Sequence, residues 1–175
     1  YVSDVPSILE IYDNAFVVSS FSKYFGMTGW RLGWIIVPEG YIETARILAQ
    51  NFFISAPSIS QFAALAAFTE EAEEVFQERR VAFENRKYFL TSELASLGFI
   101  IPDEIHGAFY VYADISKFSQ DSELFCSSLL NKQKVAITPG TDFGQHKAKQ
   151  HVRFAFTTSM ADLSIGVERL KATLK

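Results

Sequence analysis

Three features of this 175-residue sequence predict an α/β fold that ends in a smaller α+β unit. Two short, continuous apolar runs lie at residues 15–20 and 32–37, the texture of strands covered on both faces. A helical apolar period then holds across residues 71–97. After Gly98, strand-like and helix-like stretches alternate at short intervals, as in a compact mixed unit.

The elements follow in order. Ala-Phe-Val-Val-Ser-Ser at 15–20 shows no alternation, and 32–37 is stopped by Pro38-Glu39-Gly40. Strands of this kind need neighbours, and few are supplied nearby. Residues 41–53 read as a helix. Ser55-Ala56-Pro57-Ser58 breaks it and offers an N-terminal cap to a second helix over 59–68. The long helix carries Val75, Phe76, Ala82, Phe83, Phe89, Leu90, Leu94 and Leu97 at helical spacing, with Gly98 as its stop. Its acidic start, Glu70-Glu71 and Glu73-Glu74, suits the helix dipole as a solvated first turn. Beyond it, 99–101, 108–113, 135–138 and 152–157 are strand-like, 122–131 is helical, and 162–174 is a terminal helix capped at Ser159 or Asp162. The change of texture puts a domain boundary near residue 95, giving domains 1–95 and 96–175. There are no internal repeats.

Composition narrows the function. The chain is 49% hydrophobic and 21% charged, which fits a globular protein. A net charge of −4 without a basic stripe argues against nucleic acid. Seventeen phenylalanines imply large apolar faces. Cys126 is the only cysteine, set as a small apolar residue on a helix, so neither a disulfide framework nor a cysteine-rich metal site is expected. His106, His146 and His151 lack ligand spacing, and no metal is expected. No apolar run is long enough to span a membrane. The acidic start does not resemble a signal peptide, so a cytoplasmic setting is expected.

The chemistry concentrates in Ser20-Phe21-Ser22-Lys23-Tyr24-Phe25-Gly26-Met27-Thr28-Gly29-Trp30-Arg31. A lysine just after a buried strand, in an apolar wall, loses solvation and becomes a nucleophile toward a carbonyl. Hydroxyls and a guanidinium nearby suit a phosphate. A carbonyl and a phosphate on one small molecule describe pyridoxal phosphate. The segment resembles the S-x-S-K-x-x-G-M-T-G-W-R-x-G motif of the class I and II, fold-type I pyridoxal-phosphate aminotransferases. The resemblance continues through Leu32-Gly33-Trp34 and covers the chain, but only the C-terminal half or so of the family's length. It implies that Lys23 forms the Schiff base, that Arg31 binds the cofactor phosphate, and that Ser20 and Ser22 lie beside that phosphate. It implies the end of a large-domain sheet, a long connecting helix and a small C-terminal domain. It also implies amino-acid and 2-oxo-acid substrates and a homodimer.

In His151-Val152-Arg153-Phe154-Ala155-Phe156, a strand period puts Val152, Phe154 and Phe156 on one face and Arg153 on the other. Arg153 falls where the family carries the arginine that clamps the substrate carboxylate. Gly107-Ala108-Phe109-Tyr110 and Pro139-Gly140 through Phe143-Gly144 resemble two substrate-side segments of the family. His106 stands at a family-variable position. Asp142-Phe143-Gly144 also matches a kinase magnesium loop, but no glycine-rich nucleotide loop or H-R-D segment accompanies it. Trp30 and Trp34 are expected to pack in a core. The family's ring-nitrogen aspartate lies upstream of its lysine, and neither Asp4 nor Asp13 matches that motif. The isolated piece is therefore expected to hold cofactor weakly or not at all. Two alternatives stand beside transamination: a lyase on the same scaffold, since fold does not fix reaction, and a non-catalytic domain of aminotransferase type.

Overall fold

A computed structural model describes residues 1–2 and 5–174, so Asp4 lies outside the described residues. The mixed α/β fold is built as two compact units, one ending at Arg79 and the other formed by Arg80 onward together with Tyr1–Val2. The changeover lies inside the long helix, whose C-terminal half contributes Leu90 and Leu94 to the second unit's core. The change of texture in the sequence puts the boundary near residue 95, in the same helix.

In the first unit, β1 (Val17–Ser20) and β2 (Gly33–Ile36) pair antiparallel, with Val17 opposite Ile36 and Ser20 opposite Gly33. The expectation of strands covered on both faces is not met. Val18 is 76% and Ile35 53% exposed, because the described unit holds a two-stranded ladder with both edges open. Helix α1 (Ile42–Phe53) follows, then α2 (Ser58–Leu65) running into a 3-10 turn at Ala66–Phe68. The expected serine cap on α2 is absent. Pro57 holds the cap position, where no side chain is bonded to the first turn. The core here is small: Phe21, Met27 and Ala64, with Phe25, Leu32, Ala63 and Ala67 against them.

Helix α3 (Glu70–Ser96) ends as Gly98 predicts. Gly98 takes φ +95°, its amide donates to Ala95 O and the Phe99 amide donates to Leu94 O, a Schellman cap. The second unit holds β3 (Tyr110–Asp114), α4 (Ser122–Gln133), β4 (Thr138–Pro139), β5 (His151–Ala155) and α5 (Met160–Leu174). Its antiparallel sheet has the order β3-β5-β4. Residues 99–101 give one bridge, Ile100 to Asp114, rather than a strand. The strand expected at 135–138 shrinks to β4, because Lys134 turns left-handed after α4 and the Val135 amide returns to Leu129 O.

Helix α4 is capped by Asp121, whose Oδ1 accepts from the Glu123 and Leu124 amides at 3.0 Å each. Helix α5 is capped by Ser159, whose Oγ accepts from the Asp162 amide at 3.1 Å and donates to the Asp162 carboxylate at 2.7 Å. Those bonds hold the Asp162 carboxyl below its ordinary range. Val111, Ala113, Ile115, Leu129, Val152, Phe154, Phe156 and Val167 form the centre of this unit's core. Tyr1 joins the unit through its phenol, which donates to Ala108 O at 2.7 Å, and through Lys87 Nζ over its ring. No single helix among the described residues is long and apolar enough to cross a membrane.

Candidate functional site

In the first unit, the segment from Ser20 to Arg31 is tied together by short-range hydrogen bonds. Ser20 Oγ lies 2.9 Å from Ser22 Oγ and accepts from the Ser22 amide at 3.0 Å. Thr28 Oγ1 donates to Ser22 O at 2.7 Å, and Arg31 Nη1 donates to Thr28 O at 3.1 Å. The anchors beneath are Phe21 and Met27, both buried, with the Met27 amide bonded to Phe21 O and the Phe21 amide to Leu32 O. Gly26 turns the chain at φ +68°. Two serine hydroxyls and a guanidinium are thereby tied into one hydrogen-bonded segment, in whose sequence Lys23 lies.

Arg31 itself is left-handed, at φ 52° and ψ 49°. A non-glycine residue is strained there by about 1 kcal/mol. What holds it includes Ser60, a buried residue of α2 whose hydroxyl donates to Trp30 O at 2.7 Å, at the peptide entering Arg31. Gly33 lets β2 approach β1: a Cβ there would lie 2.6 Å from Ser19 O, so only glycine keeps Ser20 in register.

Lys23 departs from expectation. It is exposed rather than set in an apolar wall, since the open two-stranded ladder supplies no wall over it. Trp30 and Trp34 are also 42% and 39% exposed instead of core residues, although Trp34 meets Phe21 edge-on at 5.1 Å.

In the second unit, Arg153 stands on the outer face of β5, opposite the buried Val152, Phe154 and Phe156, as the strand period predicts. The central position of β5 gives Arg153 cross-strand neighbours on both sides, Tyr112 of β3 and Thr138 of β4. Nη2 donates to Thr138 Oγ1 at 3.3 Å, while Nε is buried with no hydrogen-bond partner. The guanidinium carbon lies 4.7 Å from the Phe143 ring centroid and 5.4 Å from that of Tyr110. These side chains open on a pocket of about 480 Å³ that includes Tyr112, His146 and Ala148. Tyr112 stacks on His151 at 5.0 Å, and burial raises its phenol's pKa.

Tyr110 lies in the Gly107–Tyr110 segment that the sequence reads as substrate-side, whereas sequence reading missed Tyr112 and Thr138, although the alternation of 108–113 already puts Tyr112 on the same face as Tyr110. Ser60 carries no local signal at all. His106 is not among the residues of this pocket, and its ring meets Glu104 at 2.7 Å. Cys126 is buried, and burial, aided by the Asp142 carboxylate, pushes its thiol up to about 11. Such a thiol is a poor nucleophile at neutral pH. Among the described residues no group of His, Cys, Asp and Glu is placed to hold a metal.

The chain is similar to known proteins over nearly its whole length. Residues 2–170 match the family model for aminotransferase class I and II. A valine–pyruvate aminotransferase of Mycobacterium tuberculosis is 41% identical over 92% of this chain and 42% of its own. The crystal structure of an aminotransferase from Mycobacterium tuberculosis superposes with a TM-score of 0.94 at 38% identity, covering 98% of this chain and 44% of that one. A Methanococcus jannaschii protein, described as similar in its active site to kynurenine aminotransferases, superposes at 0.93 and 35%, covering 100% and 47%. The chain thus spans less than half the length of these relatives.

Proposed function

The chain belongs to the class I and II aminotransferase family, and from that premise we propose that it supplies the lysine and the two anion-binding arginines of a pyridoxal-phosphate aminotransferase. The parent enzyme would move an amino group between an amino acid and a 2-oxo acid. The observation that carries this reading is the hydrogen-bonded run from Ser20 through Ser22 and Thr28 to Arg31, within which Lys23 follows Ser22 in sequence.

The donor set fits the cofactor. Two hydroxyls and a guanidinium match the charge and acceptors of a phosphate monoester, which favours planar, charge-assisted donors. Ser20, Ser22 and Arg31 would hold that phosphate, and Lys23 Nζ would take the carbonyl carbon. Bound pyridoxal phosphate supplies the electron sink that lets a bond at the substrate Cα break. Lys23 then carries the proton to and from Cα as general acid and base. Arg153 binds the substrate carboxylate and so restricts the orientation of the substrate. The orphaned Nε of Arg153 supports this role, since a carboxylate would satisfy a donor that nothing else does. Self-association as a homodimer belongs to the same reading, with the exposed Phe52, Phe53 and Ile54 as support.

Trapping tests the cofactor assignment. The full-length parent protein is incubated with stoichiometric pyridoxal phosphate, reduced with borohydride, and mapped by peptide mass spectrometry. The pyridoxyl group should appear on Lys23, fall several-fold with Arg31→Gln, and be suppressed by inorganic phosphate. A label spread over surface lysines, indifferent to Arg31, would overturn the assignment. In the parent protein, pyruvate and ammonia formed from cystathionine without any oxo-acid acceptor would replace transamination by elimination.

A further inference from the structure

The turn that begins at Lys23 is held against one face of α3. The Gly26 amide donates to Lys23 O at 3.0 Å, so Lys23 is the first residue of a four-residue turn whose centre is Tyr24 and Phe25. Both central rings lie against Phe76, a buried residue of α3, with centroids 5.3 and 5.5 Å away. The Tyr24 phenol donates to Glu73 Oε1 at 3.3 Å and accepts from Gln77 Nε2 at 3.3 Å. Gln77 Nε2 also donates to Glu73 Oε1 at 2.6 Å, which closes the three polar groups into a ring. At the end of the turn, a Cβ on Gly26 would lie 2.8 Å from Arg79 Nη1, so the guanidinium covers the glycine. Glu73, Phe76 and Gln77 stand at i, i+3 and i+4 and share one helix face.

We propose that Glu73 and Gln77, acting through the Tyr24 phenol, are positioning residues for Lys23. The inference rests on the role given to Lys23 above and adds what fixes the backbone that bears its side chain. The acidic start of α3 reads in sequence as a solvated first turn. Glu73 is exposed, yet its carboxylate binds the residue next to the lysine. A lysine side chain has four torsions, so a small rotation of its backbone is magnified at its amine. Addition to a carbonyl and proton transfer at Cα both demand placement to within about 1 Å. Ring packing alone would let Tyr24 slide over Phe76, whereas bonds to two side chains one helical turn apart fix its direction. The carboxylate makes one of those bonds charge-assisted.

The experiment uses the full-length parent protein, freed of cofactor and then mixed with pyridoxal phosphate. Labelling of Lys23 is timed by borohydride quenching and peptide mass spectrometry. Time-resolved fluorescence anisotropy of the reduced pyridoxyl-lysine then reports the local motion of that side chain. Tyr24→Phe keeps the ring contacts and removes the phenol. It should slow Lys23 labelling about fivefold and at least double the amplitude of the fast anisotropy decay. Glu73→Ala should do the same, and the double variant should be no worse than either single one. Glu73→Gln keeps an acceptor oxygen and should recover most of the loss. Glu74→Ala, at the exposed neighbouring acid, should leave both readouts alone. Unchanged labelling and anisotropy in Tyr24→Phe and Glu73→Ala, even with lowered urea midpoints, would overturn the positioning role and leave the lysine's role standing. Effects that add in the double variant would equally overturn it, since the groups would then act separately. A label that does not appear on Lys23 in the unaltered protein would overturn both.

Discussion

At the residue scale, Ser60 decides how Arg31 is presented. Its hydroxyl is buried and donates to the carbonyl that precedes a left-handed arginine, so its removal leaves a buried acceptor unmet. Ser60→Ala should cost about 1–2 kcal/mol in a urea titration of the first unit. It should also move the Arg31 backbone three-bond coupling away from its left-handed value, which a remote packing defect would leave alone. The bonds joining Ser20, Ser22, Thr28 and Arg31 span no more than six residues, so a local stretch of sequence encodes that arrangement. Ser60 reaches Trp30 across 30 residues, a tertiary relation that no local pattern encodes. Exposure of Lys23 was illegible for a related reason, since cover over a turn depends on what else packs there. Cys126 gives a prediction in pH. Its folded pKa of about 11 exceeds that of a free thiol, so between about pH 8.5 and 11 the unfolded chain has released a proton that the folded chain retains. Stability must fall as pH rises through that window, and Cys126→Ala should flatten the fall in denaturant midpoints measured from pH 8 to 10.5.

At the element scale, two glycines matter for different reasons. Gly98 ends α3 at φ +95°, and an added Cβ would meet only Phe118 Cζ at 3.7 Å, an ordinary contact. Gly98→Ala should therefore cost only the left-handed strain, about 1 kcal/mol. Gly140 is crowded by backbone: its Cβ would stand 2.7 Å from His151 O as well as Tyr112 Oη. Gly140→Ala should cost clearly more than Gly98→Ala in matched urea titrations, and should shift the Tyr112 ring signals as Gly98→Ala does not. The ends of α3 and α5 were legible because their stop and cap signals, Gly98 and Ser159, act within one turn of chain. The strand at 135–138 was misjudged because apolar residues after a helix serve a strand or a helix-capping return equally well. The left-handed Lys134 and the Val135 bond to Leu129 O make it the return.

At the scale of the whole molecule, the two units differ in how much apolar surface each buries for itself. Among the described residues, the unit ending at Arg79 buries Phe21, Met27, Ala64 and Phe76 and leaves Phe52, Phe53, Ile54, Ile59 and Phe62 more than two-thirds exposed. The other unit buries Leu94, Val111, Ile115, Val152 and Phe156 completely around a three-stranded sheet. Each fully buried large aliphatic or aromatic side chain contributes about 1.5–3 kcal/mol, so the first unit has far less with which to oppose chain entropy. Its amides should open by local unfolding at lower free energy than those of the second. Native-state hydrogen exchange followed by NMR tests this directly. Amides of β1, β2 and α2 should exchange at least a hundredfold faster, after correction for intrinsic rates, than those of β3 and β5. A fluorescent apolar dye such as ANS should bind the folded chain without denaturant, and Phe52→Ser with Phe62→Ser should lower that signal while leaving protection of β3 and β5 intact. Equal protection in the two units would mean that the first gains stability from something other than its own core. Self-association is the candidate that follows from its exposed apolar side chains, and dilution across the concentration of a dimer would then restore the difference.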